Sequence, residues 1–193
     1  MDGRGRQDFR EPKLKLSRSE SGCSADFQLG STRVISSVRG ELQSPFPDRP
    51  TEGMLQFVAR ASPAAQASGY NSSDICRQLE RFIRDSEAVD LESLCVLGGE
   101  KVWMLVCEVN LLDFGGNCMD ACLFSAIAAL RAYRRPDVTI SNENQEDFQK
   151  AMVICHSFDD REPLPLAFHH TPLCVTVALF CKPHGNEKVI RSH

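Results

Sequence analysis

The stretch 98–136 constrains the fold more than any other part of the chain. Its first half, 101–112, is rich in β-branched and large apolar residues, a composition that predicts a strand. Residues 113–117 then form a turn, because paired glycines allow positive φ angles at little energetic cost. Residues 118–133 have the composition of a helix. We therefore predict a strand, a glycine turn and a helix in direct succession.

The predicted helix is apolar on almost every side, since only Asp120, Ser125 and Arg131 interrupt the apolar run. A helix without a wide polar face is buried in a larger fold or in a membrane. This run is too short to span a bilayer, and its alanines make the helix thin. We expect a central helix that lies close against a sheet.

Polar residues mark both ends of this helix. Asn117 is a candidate N-cap, and Asp120 in the first turn suits the positive end of the helix dipole. Basic residues suit the opposite end, and a proline stops the helix there: Arg131, Arg134, Arg135 and Pro136.

Length and composition indicate one domain, or most of one. The chain has 193 residues, of which 42% are hydrophobic and 25% are charged, as in soluble globular proteins. The net charge of −4 gives no global basic surface, so any contact with nucleic acid must be local. No apolar N-terminal run resembles a signal peptide, and no stretch is apolar enough to predict a transmembrane helix or a membrane partner.

The nine cysteines are scattered, and an odd number does not suggest a disulfide scaffold. Cys118 and Cys122 share a helix face and could begin a metal site, but no second pair of ligands has suitable spacing. We favour buried, reduced thiols, and hence a reducing compartment. No metal and no cofactor are predicted.

Shorter patterns fill the remainder of the chain. Strands are predicted at 23–29 and 33–42, joined by a turn, and again at 54–61, 137–140, 151–155 and 173–181. Residues 44–53 and 62–73 read as connections, and 141–150 as a surface loop. The pair His169 and His170 is interpreted as turn residues before a strand, since a metal site would need further ligands.

A second helix is predicted at 74–85, with Ser73 as its N-cap. Apolar residues share one side of this helix, namely Ile75, Leu79, Phe82 and Ile83. Three arginines line the opposite side, namely Arg77, Arg81 and Arg84. From the residues alone, a solvated charged face that is partly neutralised by Glu80 and Asp85 is the simpler interpretation.

The phrases GEKVW, LLDFGGNCMDA and RRPDV, in the order strand, glycine turn and buried alanine helix, resemble the RNase PH family. They are closest to the branch that forms ring subunits of the eukaryotic RNA exosome. The resemblance runs from about residue 2 to about residue 180. It implies an α+β, RNase PH-like fold with mixed sheets packed around a buried central helix. The implied domain covers 1–181, and 182–193 is an unmatched polar tail.

The resemblance also implies a function. The chain would be a non-catalytic ring subunit that supports 3′-to-5′ RNA processing and degradation in nucleus, nucleolus and cytoplasm. The implied partners are other RNase PH-like ring subunits, RNA-binding cap subunits, single-stranded RNA and a separate catalytic ribonuclease. Arg84 falls at the last arginine of the family's R-x-x-R phrase, so the resemblance makes Arg77, Arg81 and Arg84 candidate RNA contacts. A guanidinium suits a phosphate because it offers a planar fork of donors.

The family's catalytic members take a general-acid aspartate and a phosphate-binding loop from elements that follow the strand at 173–180. We find no counterpart in 182–193, so we expect the closing C-terminal elements to be missing and the chain not to be an enzyme. An apolar edge at 173–180 would then be exposed. The alternatives are a phosphorolytic 3′-to-5′ exoribonuclease, or a shortened chain with little activity.

Overall fold

The computed structural model describes residues 9–19, 22–67, 69–141, 152–181 and 188–192. Its largest sheet has six strands: β1 (Pro12–Ser19), β2 (Gly22–Leu29), β3 (Thr32–Gln43), β4 (Met54–Ala61), β5 (Cys95–Leu97) and β6 (Lys101–Asp113). Their order in the sheet is β1-β2-β3-β6-β4, with β5 also paired to β6. Neighbouring strands are antiparallel except β4 and β6, which are parallel. The α+β fold class is confirmed.

The strand predicted at 101–112 is β6, and it lies in the middle of this sheet. Side chains on both of its faces are buried, including Trp103, Leu105 and Val106. A strand that is covered on both faces has no polar alternation, which explains its nearly continuous apolar sequence. The strands predicted at 23–29, 33–42 and 54–61 are also confirmed, as β2, β3 and β4.

The predicted central helix is α3 (Cys118–Ala132), and most of its side chains are buried. It packs against β2 and β3. Its one buried hydroxyl, on Ser125, donates a hydrogen bond of 3.0 Å to the carbonyl oxygen of Ala25 in β2. Three alanines of the helix, Ala121, Ala126 and Ala129, are fully buried. The buried helix expected from the sequence is therefore confirmed.

Asn117 occupies the N-cap position of α3 but does not cap it with its side chain. Its φ of 52° is left-handed, and its amide instead donates to Asp120 Oδ2 at 2.9 Å. The predicted N-cap position is therefore confirmed, but the side chain of Asn117 makes no capping hydrogen bond. At the other end, Arg134 Nη1 donates to the carbonyl oxygens of Arg131 at 2.8 Å and Tyr133 at 2.9 Å, so a basic residue does bind the free carbonyls.

The glycine turn before α3 lies against the turn between β2 and β3. Gly115 donates its N–H to Thr32 Oγ1 at 3.1 Å, and the same hydroxyl donates to the carbonyl oxygen of Gly116 at 2.7 Å. A Cβ on Gly115 would overlap Ser31 Oγ. Glycine is therefore required here by the close approach of two backbones.

Two short helical elements follow β4. Helix α1 (Pro63–Ala67) lies within the predicted connection 62–73, and helix α2 (Ser72–Leu79) continues into a π-helical turn, Glu80–Arg84. The apolar face is confirmed, because Ile75, Leu79 and Ile83 are buried. The predicted N-cap is wrong: the helix starts at Ser72 with Asn71 in the N-cap position, and Ser73 Oγ donates to Asn71 Oδ1.

Three two-stranded sheets complete the described residues: β7 (Arg134–Arg135) with β10 (Leu164–Pro165), β8 (Val138–Ser141) with β9 (Met152–Cys155), and β11 (Val177–Cys181) with β12 (Lys188–Ser192). The strand predicted from residue 173 begins only at Val177, since 171–176 pairs with no strand among the described residues. Strand β12 lies in 182–193, the segment for which the sequence predicted an unmatched polar tail. Residues 1–8, and residues 142–150 of the predicted loop, lie outside the described residues.

The irregular segment that precedes β11 runs along α3. Thr176 donates to the carboxylate of Asp120 through its hydroxyl at 2.8 Å and its backbone N–H at 3.1 Å. Arg131, near the other end of the helix, donates to the hydroxyl of Thr171 and lies over the ring of Phe168. Within the described ranges, no helix has both the length and the apolar character needed to cross a membrane.

The end of the π-helical turn predicts a stabilising substitution. Glu87 has φ of 56° in a left-handed cap, where Ala88 N–H donates to Ile83 and Glu87 N–H to Arg84. Glycine avoids the Cβ strain of this conformation, so we expect Glu87→Gly to raise the free energy of unfolding by about 1 kcal/mol. Urea denaturation with an unchanged m value measures this. Glu87→Ala removes the same charge but keeps the Cβ, and equal stabilisation by both variants would contradict the explanation.

Candidate nucleic-acid interface

The three arginines predicted to contact RNA lie on α2 and the π-helical turn, and all three are exposed. The helix turns them outward because its apolar residues Ile75, Leu79 and Ile83 bury the opposite face. The structure therefore brings Arg77, Arg81 and Arg84 onto the outer surface of one continuous helical element.

These arginines differ in how their charge is used. Arg77 Nη2 lies 2.9 Å from Asp74 Oδ1. Arg84 lies 3.4 Å from Glu80 and 3.3 Å from Asp85, which confirms the neutralisation expected from the sequence. Among the described residues, Arg81 has no hydrogen-bond or ion-pair partner. Exposed ion pairs contribute at most about 1 kcal/mol to stability, so Arg77 and Arg84 could leave their carboxylates and bind a phosphate. Arg81 could bind a phosphate without first breaking an ion pair.

A groove of about 860 Å³ lies beside Arg84. Arg49, from the proline-rich loop after β3, lines it as well and pairs with Glu52 at 3.3 Å. Sequence reasoning missed this neighbour of Arg84, because residues 44–53 were interpreted only as a connection. The acidic residues that line the groove are Asp48, Glu52, Asp85, Glu87, Asp90 and Glu92.

The electrostatics of this groove oppose the binding of phosphate. Its carboxylates outnumber its two guanidiniums, so a phosphate in the groove would meet more repulsion than attraction. Attraction to cationic side chains is the main contribution to phosphate binding. An RNA backbone that contacts these arginines would therefore follow the outer surface of the helix, next to Arg81, and avoid the groove.

The histidine pair lies in the irregular segment before β11, as predicted. Both side chains are exposed. His169 lines the groove, and its backbone N–H donates to the carbonyl oxygen of Ala88 at 3.0 Å. The backbone of His169 therefore joins this segment to the residues that follow the π-helical turn.

The thiols on α3 are inside the core. Cys118 and Cys122 are both buried, and burial raises the pKa of Cys118 to about 11 and also raises the pKa of Cys122. A neutral thiol is a poor metal ligand, because metals bind the thiolate. Over the part of the chain that the structure describes, no three His, Cys, Asp or Glu side chains are grouped so that they could hold a metal ion.

Comparison with known proteins places the sequence in a described family. Residues 8–136 match the family described as "3′ exoribonuclease family, domain 1" (RNase PH). The chain is 42% identical to exosome complex component RRP45B of Arabidopsis thaliana over 188 residues, which cover 94% of the chain and 41% of that relative. It is 40% identical to RRP45 of Danio rerio, with 93% of the chain and 45% of the relative covered. The chain thus spans about half the length, or less, of these relatives.

Two solved structures share the fold. The archaeal exosome core aligns with a TM-score of 0.67 and 31% identity, over 99% of this chain and 67% of that one. The Archaeoglobus fulgidus exosome with RNA bound to its active site aligns with a TM-score of 0.72 and 30% identity, over 100% of this chain and 70% of that one.

The buried thiols predict a selective pattern of alkylation. At pH 8, iodoacetamide should modify the exposed Cys155 and leave Cys118 and Cys122 untouched, as peptide mass spectrometry would measure. Burial raises the pKa of Cys118 from 9.0 to about 11, so the neutral thiol favours the folded state. This stabilisation is fully present below about pH 9 and is lost as the pH rises toward 11. Labelling of α3 should therefore begin at alkaline pH together with loss of ellipticity. Rapid labelling at pH 8 in the folded protein would contradict the burial.

Proposed function

Since the chain belongs to the RNase PH family of 3′ exoribonucleases, we propose that it acts as a ring subunit of an RNA exosome core. The observation that carries this proposal is the extent of the likeness. Identities of 38–42% to exosome components named RRP45, from plant to human, cover 93–94% of the chain. A likeness of this length supports a shared scaffold and a shared place in an assembly.

In such a ring the chain would assemble with other RNase PH-like subunits, with RNA-binding cap subunits above it and a separate catalytic ribonuclease as a further partner. Its substrate would be single-stranded RNA that passes along the assembly during 3′-to-5′ processing or degradation. The compartments implied by these roles are nucleus, nucleolus and cytoplasm, where ribosomal RNA matures and messenger RNA is turned over.

We propose that the chain guides RNA and does not cleave it. Phosphorolysis requires a site that holds phosphate and stabilises the charge of the transition state. The groove beside the candidate RNA contacts is acidic, which disfavours phosphate there. The description of the matching family favours one alternative, a phosphorolytic exoribonuclease, and activity measurements separate the two.

The guiding role rests on cationic contacts to the RNA backbone. Arginines on one exposed helix bind phosphates without reading the base sequence, as single-stranded RNA in transit requires. Arg81 is the strongest candidate, since the acidic neighbours of Arg77 and Arg84 compete with phosphate for the guanidinium.

Assembly is the direct test of the ring proposal. We expect the tagged chain, expressed in cells, to recover other RNase PH-like subunits stoichiometrically, as identified by mass spectrometry. The recovered complex and the free chain are then incubated with phosphate and single-stranded RNA. Recovery of chaperones alone would refute ring membership, and nucleoside diphosphates released by the free chain would refute the non-catalytic role.

Charge reversal tests the RNA path. Arg81→Glu with Arg84→Glu should lower crosslinking of single-stranded RNA to the assembled complex by about tenfold, because two phosphate contacts become repulsive. Ring assembly should be unchanged, since both side chains are exposed. Arg33→Glu with Arg39→Glu, a reversal of two exposed arginines on β3, is the matched control and should keep crosslinking. Equal crosslinking by all three proteins would contradict the assignment.

A further inference from the structure

The acidic groove beside Arg84 is large enough to receive part of another molecule. Its volume of about 860 Å³ lies in the upper part of the range for ligand-binding clefts, which is roughly 300–1,000 Å³. Its walls come from 46–55, the loop after β3 with the start of β4, and from 84–92, the segment after α2; His169 completes the lining. No lining residue adjoins a segment outside the described residues, so the groove is formed entirely by described chain.

The lining of the groove is apolar as well as acidic. Leu55 and Val89 are buried, and Leu91 is half-buried. Phe46, in the proline-rich loop, also lines the groove, with 59% of its surface exposed. The face of an aromatic ring attracts the cations of lysine and arginine. An exposed ring among carboxylates is therefore suited to a cationic side chain.

The groove keeps a negative charge after its own arginines are counted. Arg49 and Arg84 each lie 3.3 Å from a carboxylate of the same loop or turn, so their charges are already used. Glu87, Asp90 and Glu92 line the groove too, and none of them has an ion-pair partner among the described residues. These three carboxylates are available to a cation from outside the chain.

The spacing of the carboxylates indicates which kind of cation fits. Throughout the described segments, no three His, Cys, Asp or Glu side chains converge as the ligands of a metal ion would. A single small cation therefore finds no set of ligands here, whereas cations repeated along a chain can each meet a separate carboxylate. A phosphate backbone is repelled.

We propose that the groove docks an extended segment of a partner protein that is rich in lysine and arginine. Its cationic side chains pair with Glu87, Asp90 and Glu92, and one of them lies over the ring of Phe46. The aliphatic stems of these side chains contact the apolar part of the lining. This role goes beyond the proposed function, since it concerns a surface that RNA avoids.

Fluorescence anisotropy of a labelled octapeptide of alternating lysine and arginine, titrated with the purified full chain, tests the proposal. We expect saturable one-to-one binding that weakens as salt rises from about 50 to about 200 mM, because salt screens exposed charges. An octapeptide of alternating glutamate and aspartate should not bind.

Removal of the three carboxylates should raise Kd for the basic peptide about tenfold or more, because three ion pairs are lost. The variant carries Glu87→Gln, Asp90→Asn and Glu92→Gln. Asparagine at 90 keeps the side-chain oxygen that accepts the backbone N–H groups of Glu92 and Ser93. The matched control carries Asp159→Asn, Asp160→Asn and Glu162→Gln, which removes three charges from exposed residues outside the groove and should keep the wild-type Kd.

Two single variants separate binding from folding. Phe46→Leu keeps an apolar side chain but removes the ring, and it should raise Kd about threefold. Glu87→Gly is expected to stabilise the fold, yet it should also raise Kd about threefold, because one ion pair is lost. A more stable protein that binds less peptide cannot owe that loss to unfolding.

Carbodiimide coupling locates the peptide on the wild type and needs no variant. Peptide mass spectrometry should find Glu87 or Glu92 joined to a lysine of the basic peptide. Three results would overturn the proposal: absence of saturable binding, equal weakening by both triple variants, or coupling only to carboxylates outside the groove. None of them bears on ring membership, because every measurement uses this chain alone.

Discussion

The hydroxyl of Thr32 joins two turns of the molecule that are distant in sequence. It accepts a hydrogen bond from Gly115 and donates one to Gly116, so the turn after β2 and the turn after β6 are held together. Arg10 adds a further hydrogen bond of 2.9 Å to the same carbonyl oxygen. This contact fixes where α3 begins relative to β3. The burial of α3 against β2 and β3, and the segment that α3 holds on its other side, both depend on that starting point.

The buried elements of the fold and the candidate RNA-binding residues lie in different parts of the molecule. Helix α3 and strand β6 are buried along most of their length, and their exposed charges, Lys101, Asp113 and Arg131, lie at or near their ends. The candidate RNA contacts lie on α2 and the π-helical turn, at the surface, where ion pairs within the helix already engage Arg77 and Arg84. The acidic groove beside Arg84 then limits the direction from which a phosphate backbone can approach. Under the RNA-binding hypothesis, this charge pattern favours contact with RNA on the side of the helix that carries Arg81.

The elements that were predicted correctly depend on strong local sequence patterns. The features that were missed depend on residues that are distant in sequence. Strand β6, helix α3 and the apolar face of α2 follow from composition and periodicity, and the pairing of Arg84 with Glu80 and Asp85 follows from helical spacing. The N-cap of α2 was misplaced, because Asn71 and Ser73 are both good cap residues. The N-cap position of α3 was predicted correctly, but Asn117 takes a left-handed conformation that composition does not reveal, and its side chain makes no cap. The π-helical turn has no sequence signal. Residues 173–176 have strand composition, but a strand also needs a neighbour.

The pairing of β3 with β6 has a consequence for how the protein forms. Arg33 lies opposite Asp113 in this pairing. Contact between the two strands therefore closes a long loop of chain, which runs from the β2–β3 hairpin almost to the start of α3. Closing so large a loop costs entropy before the contacts repay it, which slows folding. During synthesis, the β2–β3 hairpin leaves the ribosome long before α3 exists to cover its apolar face. Nascent chains therefore pass through a stage with an uncovered sheet, when protection by chaperones matters most.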